Sequence, residues 1–132
     1  MSIDTIVTPA SKVVYDRFHF SQATISEGFV FCSGVIGNGA DGKLPELVRE
    51  EFYNAWRQVG EVLAAASAGF ADIIEYTSYH VGLQQHMGDF MLVRDEYLAE
   101  PWPAWTAIGI SELAVPGARV EIQVTARRPA GP

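Results

Sequence analysis

The segment PELVREEFYNAWRQVGEVLAAASA, residues 45–68, decides the fold class, because its apolar residues recur at helical spacing. Val48, Phe52, Ala55, Val59, Leu63 and Ala66 lie three or four apart and paint one stripe that must face a core. Pro45 suits the first turn, Glu46 favours the positive end of the helix dipole, and Gly69 suits the left-handed position after the last turn. The thin last turn, Ala64-Ala65-Ala66, permits close approach to a sheet.

Downstream, Asp72 to Val81 is β-branched and aromatic, so it reads as a strand. A second helix follows over roughly 86–99, with Phe90, Val93 and Tyr97 on its inner face. Pro101 and Pro103 bracket Trp102 and give a stiff, extended entry to another strand, with Trp105 at its mouth. After a Pro116-Gly117 turn the last strand runs from Arg119 to Arg128, and a hairpin would lay Glu121 alongside Trp105 in one cleft. Residues 129–132 read as a disordered end.

Upstream, Ser2 to Val7 reads as an edge strand stopped by Pro9. Residues 11–21 read as irregular, anchored by Tyr15, Phe18 and Phe20. Two β-rich runs flank Glu27-Gly28 within residues 24–35, a hairpin signal. Gly37 to Lys43 is a loop by composition and lacks the Gly-Lys-Ser/Thr that a phosphate-binding loop requires. The order therefore describes a single α+β domain over residues 1–132, a mixed sheet with two helices on one face. Its other face, with Val120, Ile122 and Val124 alternating against Glu121, Gln123 and Thr125, calls for covering by another copy.

Composition narrows the function classes. A net charge of −7 lacks the basic stripe that nucleic acid requires. No run approaches the roughly 18 apolar residues of a membrane span, and the first residues lack a secretory signal, so a cytoplasmic protein is expected. One cysteine, Cys32, excludes an internal disulfide or a cysteine-based zinc site, and the three histidines have no metal-ligand spacing. Hydrophobic residues make up 48% of the chain against 19% charged, so some apolar surface is expected to face a sister subunit.

Several stretches together resemble the RidA/YjgF family. They are Phe31-Cys32-Ser33-Gly34 with the following Gly-rich loop, the long helix ending Ala66-Ser67-Ala68-Gly69 before Phe70-Ala71-Asp72-Ile73-Ile74, Pro103-Ala104 opening a strand, and Val120 to Ala126. The resemblance implies a chorismate-mutase-like homotrimer with clefts between subunits, and hydrolysis of reactive imines or enamines without metal or cofactor. It implies an arginine directly after the Pro-Ala pair, gripping the substrate carboxylate, and a glutamate on the last strand that helps activate water. The glutamate is present as Glu121; the arginine position holds Trp105. An indole has one N–H donor and no charge, so it cannot form the bidentate pair that holds a carboxylate.

Under this reading Glu121 and Thr106 are the catalytic candidates, and Phe20, Ser33, Gly34, Arg94, Trp105 and Ala107 the substrate-binding ones. Thr106 and the Ala107 N–H would hold a substrate oxygen. Glu121 is either a solvated strand residue or a buried acid suited to proton transfer. Trp105 is either interface packing or pocket wall. Arg94 is either a surface arginine paired with Asp95 or the replacement for the missing anion anchor, reaching in from another wall. The expected function is a cofactor-free deaminase of an imine, enamine or aminomuconate-like metabolite. The alternative is a trimer that binds a small metabolite without turning it over.

Overall fold

The computed structural model describes residues 3–130. Seven strands and three α-helices alternate within them: β1 (Asp4–Ile6), α1 (Lys12–Phe18), β2 (Ala23–Ser26), β3 (Phe29–Cys32), β4 (Val35–Ile36), α2 (Val48–Ala65), β5 (Ile73–His80), α3 (Leu83–Arg94), β6 (Ala104–Gly109) and β7 (Val120–Arg127). The strands form one sheet in the order β1-β2-β3-β7-β5-β6, with β4 also paired to β7. All pairs are antiparallel except β5 and β6, which α3 joins as a parallel crossover.

The hairpin β2-β3 turns at Glu27 and Gly28, whose φ values of 56° and 81° are those a tight two-residue turn demands. β7 is the central strand. Its Val120, Ile122, Val124 and Ala126 face the helices and are at most 1% exposed, while Glu121, Gln123, Thr125 and Arg127 point to the open face. α2 buries Phe52, Ala55, Trp56, Val59, Val62 and Leu63 against that inner face, and Phe90 and Val93 of α3 close the same core. Trp56 sits edge-on to Tyr76 at 5.3 Å and stacks on Tyr97 at 6.2 Å. Truncating such a residue costs about 3–5 kcal/mol.

Five sequence expectations need correction. The hairpin between the Trp105 and Glu121 strands does not form: β5 lies between β6 and β7, because the α3 crossover delivers β6 to the outer edge of β5. The Pro116-Gly117 turn exists, with Ala118 N–H donating to Val115 O at 3.1 Å, inside a long connection that spans the end of β5. Residues 12–18 form a helix, tied by a Lys12–Asp16 pair one turn apart; its Val13 and Phe18, 61% and 68% exposed, face outward and present no apolar stripe to the core.

α2 starts at Val48, two residues beyond Glu46, because the Arg119 guanidinium takes the carbonyls of Pro45 and Glu46 at 3.0 and 3.2 Å and holds them outside the helix. The acids of its first turn are Glu50 and Glu51. Ser67, with φ 61°, fills the left-handed position expected of Gly69, which is extended and donates its N–H to Asp72 Oδ2 at 2.8 Å. Finally, α3 covers residues 83–94, starting after Gly82 in the left-handed conformation, and Tyr97 lies in the turns beyond it. The edge strand is β1; Ser2, and Gly131 and Pro132 of the expected disordered end, lie outside the described residues.

Candidate functional site

The two sides of the sheet divide the predicted residues. In the register of β7-β5-β6, Tyr79 lies between Glu121 and Ile108, and Thr77 between Gln123 and Thr106. Tyr76 lies between Val124 and Trp105, and Ser78 between Ile122 and Ala107. Because side chains alternate along a strand, Glu121 and Thr106 share the open face, whereas Trp105 and Ala107 face the helices. Within one chain the indole and the carboxylate are on opposite sides.

On the open face, Glu121 lies against the backbone of Gly34: a Cβ there would stand 2.5 Å from Glu121 Oε2. The absent side chain at Gly34 is what makes room for the carboxylate. Glu121 is half-buried, and burial pushes its pKa above the ordinary carboxylate value. Ser33 spends its hydroxyl within the chain, donating to Ser21 O at 2.7 Å, while its N–H donates to Gln22 O at 2.8 Å. These bonds tie the residues after α1 to the hairpin and place Phe20 at the surface, 42% exposed. Phe31 and Ile108, 49% and 39% exposed, make the same face partly apolar.

On the helix side, Trp105 stacks on Tyr76 at 5.8 Å and on Phe90 at 5.9 Å. Its Nε1–H donates to Ser78 Oγ at 2.9 Å, and Ser78 Oγ lies 2.8 Å from His80 Nε2. The Arg94 guanidinium sits 5.0 Å from the Trp105 ring and 5.9 Å from that of Trp102, within cation–π range of both. Its Nε and Nη2 also meet one oxygen of Asp95, each at 3.0 Å. Arg94 thus pairs with Asp95 and also lies on the indole that occupies the arginine position. Burial lowers its pKa while Tyr76 and Asp95 raise it, with a net rise that keeps it a cation.

Three buried polar side chains are not singled out by the sequence as site residues. Ser78 and His80 are 0% and 1% exposed, and burial, with a smaller contribution from His86, lowers the His80 pKa to about 4. The signal was the alternation Thr77-Ser78-Tyr79-His80, in which both inward positions are polar. Glu51, fully buried, accepts from the Arg119 N–H at 2.6 Å and from its Nε at 2.7 Å, joining α2 to the start of β7.

A groove of about 490 Å³ is lined by Val81 and residues 111–119, and a smaller one of about 130 Å³ runs between Phe70, Ile73, Tyr97, Leu98 and Pro101. Neither contains a predicted site residue. Among the described residues no three His, Cys, Asp or Glu side chains are grouped to hold a metal ion, and no helix is long and apolar enough to cross a membrane.

Fold and side-chain placement together define a class, a mixed-sheet α+β protein with a half-buried acid on one face and an aromatic–guanidinium cluster beneath its edge strand. The family model described as Endoribonuclease L-PSP matches residues 12–128. The RutC family protein YjgH of Escherichia coli is 36% identical over 127 residues, covering 95% of each chain. A 2-iminobutanoate/2-iminopropanoate deaminase of Bos taurus is 33% identical over 112 residues, 81% of this chain and 78% of that one. The solved structure of protein YJGH superposes with a TM-score of 0.88 at 32% identity, covering 99% of this chain and 100% of that one. The chain belongs to the YjgF/RidA family, whose members include 2-iminobutanoate/2-iminopropanoate deaminases.

Proposed function

We propose that the protein is a cofactor-free hydrolase of a small reactive imine or enamine, acting in clefts between the subunits of a homotrimer with the chorismate-mutase-like arrangement. The observation that carries this is Glu121: a half-buried carboxyl with a raised pKa, seated over Gly34 on a face otherwise suited to contact with another copy. A general base works best with its pKa moved toward the working pH. Assembly resolves the division described above, because a cleft at the sheet edge can take its acid from one subunit and its Trp105–Arg94 wall from the next.

In this reading the substrate enters as the protonated iminium: Glu121 takes a proton from water as the water oxygen bonds to the iminium carbon and the C=N π pair returns to nitrogen, giving a neutral carbinolamine. Glu121 then passes that proton to the amine nitrogen, the C–N bond breaks with ammonia as the leaving group, and the hydroxyl gives its proton to the regenerated carboxylate, leaving a carbonyl. Thr106 and the Ala107 N–H steady the oxygen. Phe20, Ser33 and Gly34 shape the wall near the acid, and Arg94 pairs with an anionic substrate group.

Imines made in situ by an amino-acid oxidase test this. The protein should accelerate ammonia release over the uncatalysed rate, and Glu121→Gln should lose roughly 100-fold or more of that acceleration. A rate equal to the uncatalysed one refutes the enzyme reading for this substrate class.

Trp105 in the arginine position favours a second reading, a trimer that binds a small metabolite without turnover. It is distinguished by thermal stabilisation on adding ligand, with no product formed. Ribonuclease activity is disfavoured by the net charge of −7.

A further inference from the structure

The core beneath β6 contains a buried polar chain that packing does not require. Ser78 and His80 point inward from β5 among Phe52, Phe90 and Trp105, where apolar side chains of similar shape would need no partners. Counting donors fixes the direction of the chain. The indole Nε1–H can only donate, so Ser78 Oγ accepts it. Ser78 Oγ has a second lone pair and one proton, and that proton finds an acceptor only if it goes to His80 Nε2, which places the His80 proton on Nδ1. The opposite tautomer would leave both the serine proton and Nδ1 unpaired. Even in the better arrangement Nδ1–H has no partner among the described residues, so the fold tolerates a buried unsatisfied donor to keep this connection.

The connection affects one feature of the surface, the orientation of Trp105. An indole at a sheet edge can present either its N–H or its ring to a ligand. Here the N–H is turned inward to Ser78, and the ring carries the Arg94 guanidinium. We propose that Ser78 and His80 are positioning residues: they lock the Trp105 indole by its sole donor and so hold it as the platform from which Arg94 meets an anionic ligand. This rests on reading the cleft as a small-molecule site. It makes the indole N–H unavailable to that ligand and leaves the guanidinium as the polar group at this wall.

The test uses the full chain, labelled with ¹⁵N, and pyruvate as a stable anionic probe. The Trp105 indole N–H resonance is identified by its loss in Trp105→Phe. In the wild type it should exchange slowly with solvent, and pyruvate binding should weaken when Arg94 is replaced by Gln. Ser78→Ala should speed exchange of that indole alone, leaving the Trp56 and Trp102 signals in place, and weaken pyruvate binding about tenfold, the equivalent of one hydrogen bond. His80→Phe should shift both readouts the same way by less, and Ser78→Thr, which keeps the hydroxyl, should restore them. The proposal is overturned if Trp105 stays protected in Ser78→Ala, or if protection is lost while pyruvate affinity is unchanged. Wild-type protein that ignores pyruvate but shows the Ser78-dependent protection refutes the cleft reading and the role for Arg94, and leaves the lock as a packing device only.

Discussion

Acid should weaken this fold through one side chain. His80 is 1% exposed and its pKa falls from 6.5 to about 4, with burial as the main cause. Between those values the unfolded chain binds a proton that the folded chain refuses, so stability falls as pH decreases through this window. A gap of about 2.5 units, at about 1.36 kcal/mol each, gives a loss of roughly 2 kcal/mol by pH 5 and roughly 3 by pH 4. Glu121 works the other way: its pKa is raised in the fold, so protonation above its ordinary value returns some stability. Comparing two proteins that both contain Glu121 cancels that contribution. Urea unfolding of wild type and His80→Phe at one protein concentration, at pH 7 and pH 5, should show the wild type losing about 2 kcal/mol more than the variant. Parallel losses would refute the reasoning, because His80 would then titrate alike in both states.

Other outcomes follow from single contacts. Gly34→Ala must displace the end of the Glu121 side chain, so imine turnover should fall nearly as far as in Glu121→Gln while stability changes by less than about 1 kcal/mol, read by ammonia release and by melting. Gly37→Ala is different, since its Cβ would collide with the backbone carbonyl of Glu51; a loss of more than about 3 kcal/mol is expected in urea unfolding. Glu51→Ala should cost about 1–3 kcal/mol in urea unfolding, because it takes the acceptor away from the Arg119 backbone N–H and Nε while the part-exposed guanidinium keeps the carbonyls of Pro45 and Glu46. Cys32, buried with its thiol pushed up to about 12, should react with thiol reagents near pH 8 only after denaturation, as mass spectrometry would show.

What the sequence made legible was local. The α2 stripe and the Glu27-Gly28 hairpin are written in residues near one another, and both form where expected. The pairing of β6 was illegible because a parallel neighbour is chosen by the crossover through α3 and not by the nearest turn. The helix at 12–18 was missed because its Val13 and Phe18 face outward and present no apolar stripe to the core. At the site, Glu121 and Trp105 could each be singled out, yet which side of the sheet each faces depends on pairing with β5. Ser78 and His80 look like ordinary polar strand residues until Trp105 is known to lie beside them.

The opposite placement of Trp105 and Glu121 has a genetic consequence if each cleft borrows from two subunits. A chain damaged only at Glu121 and a chain damaged only at Trp105 are each inactive alone, but mixing them creates some clefts that draw both intact residues. Two dead alleles would then complement one another, and co-expression of Glu121→Gln with Trp105→Ala should recover a fraction of the activity set by random assembly. Were both residues to serve from the same chain, every cleft in the mixture would remain defective.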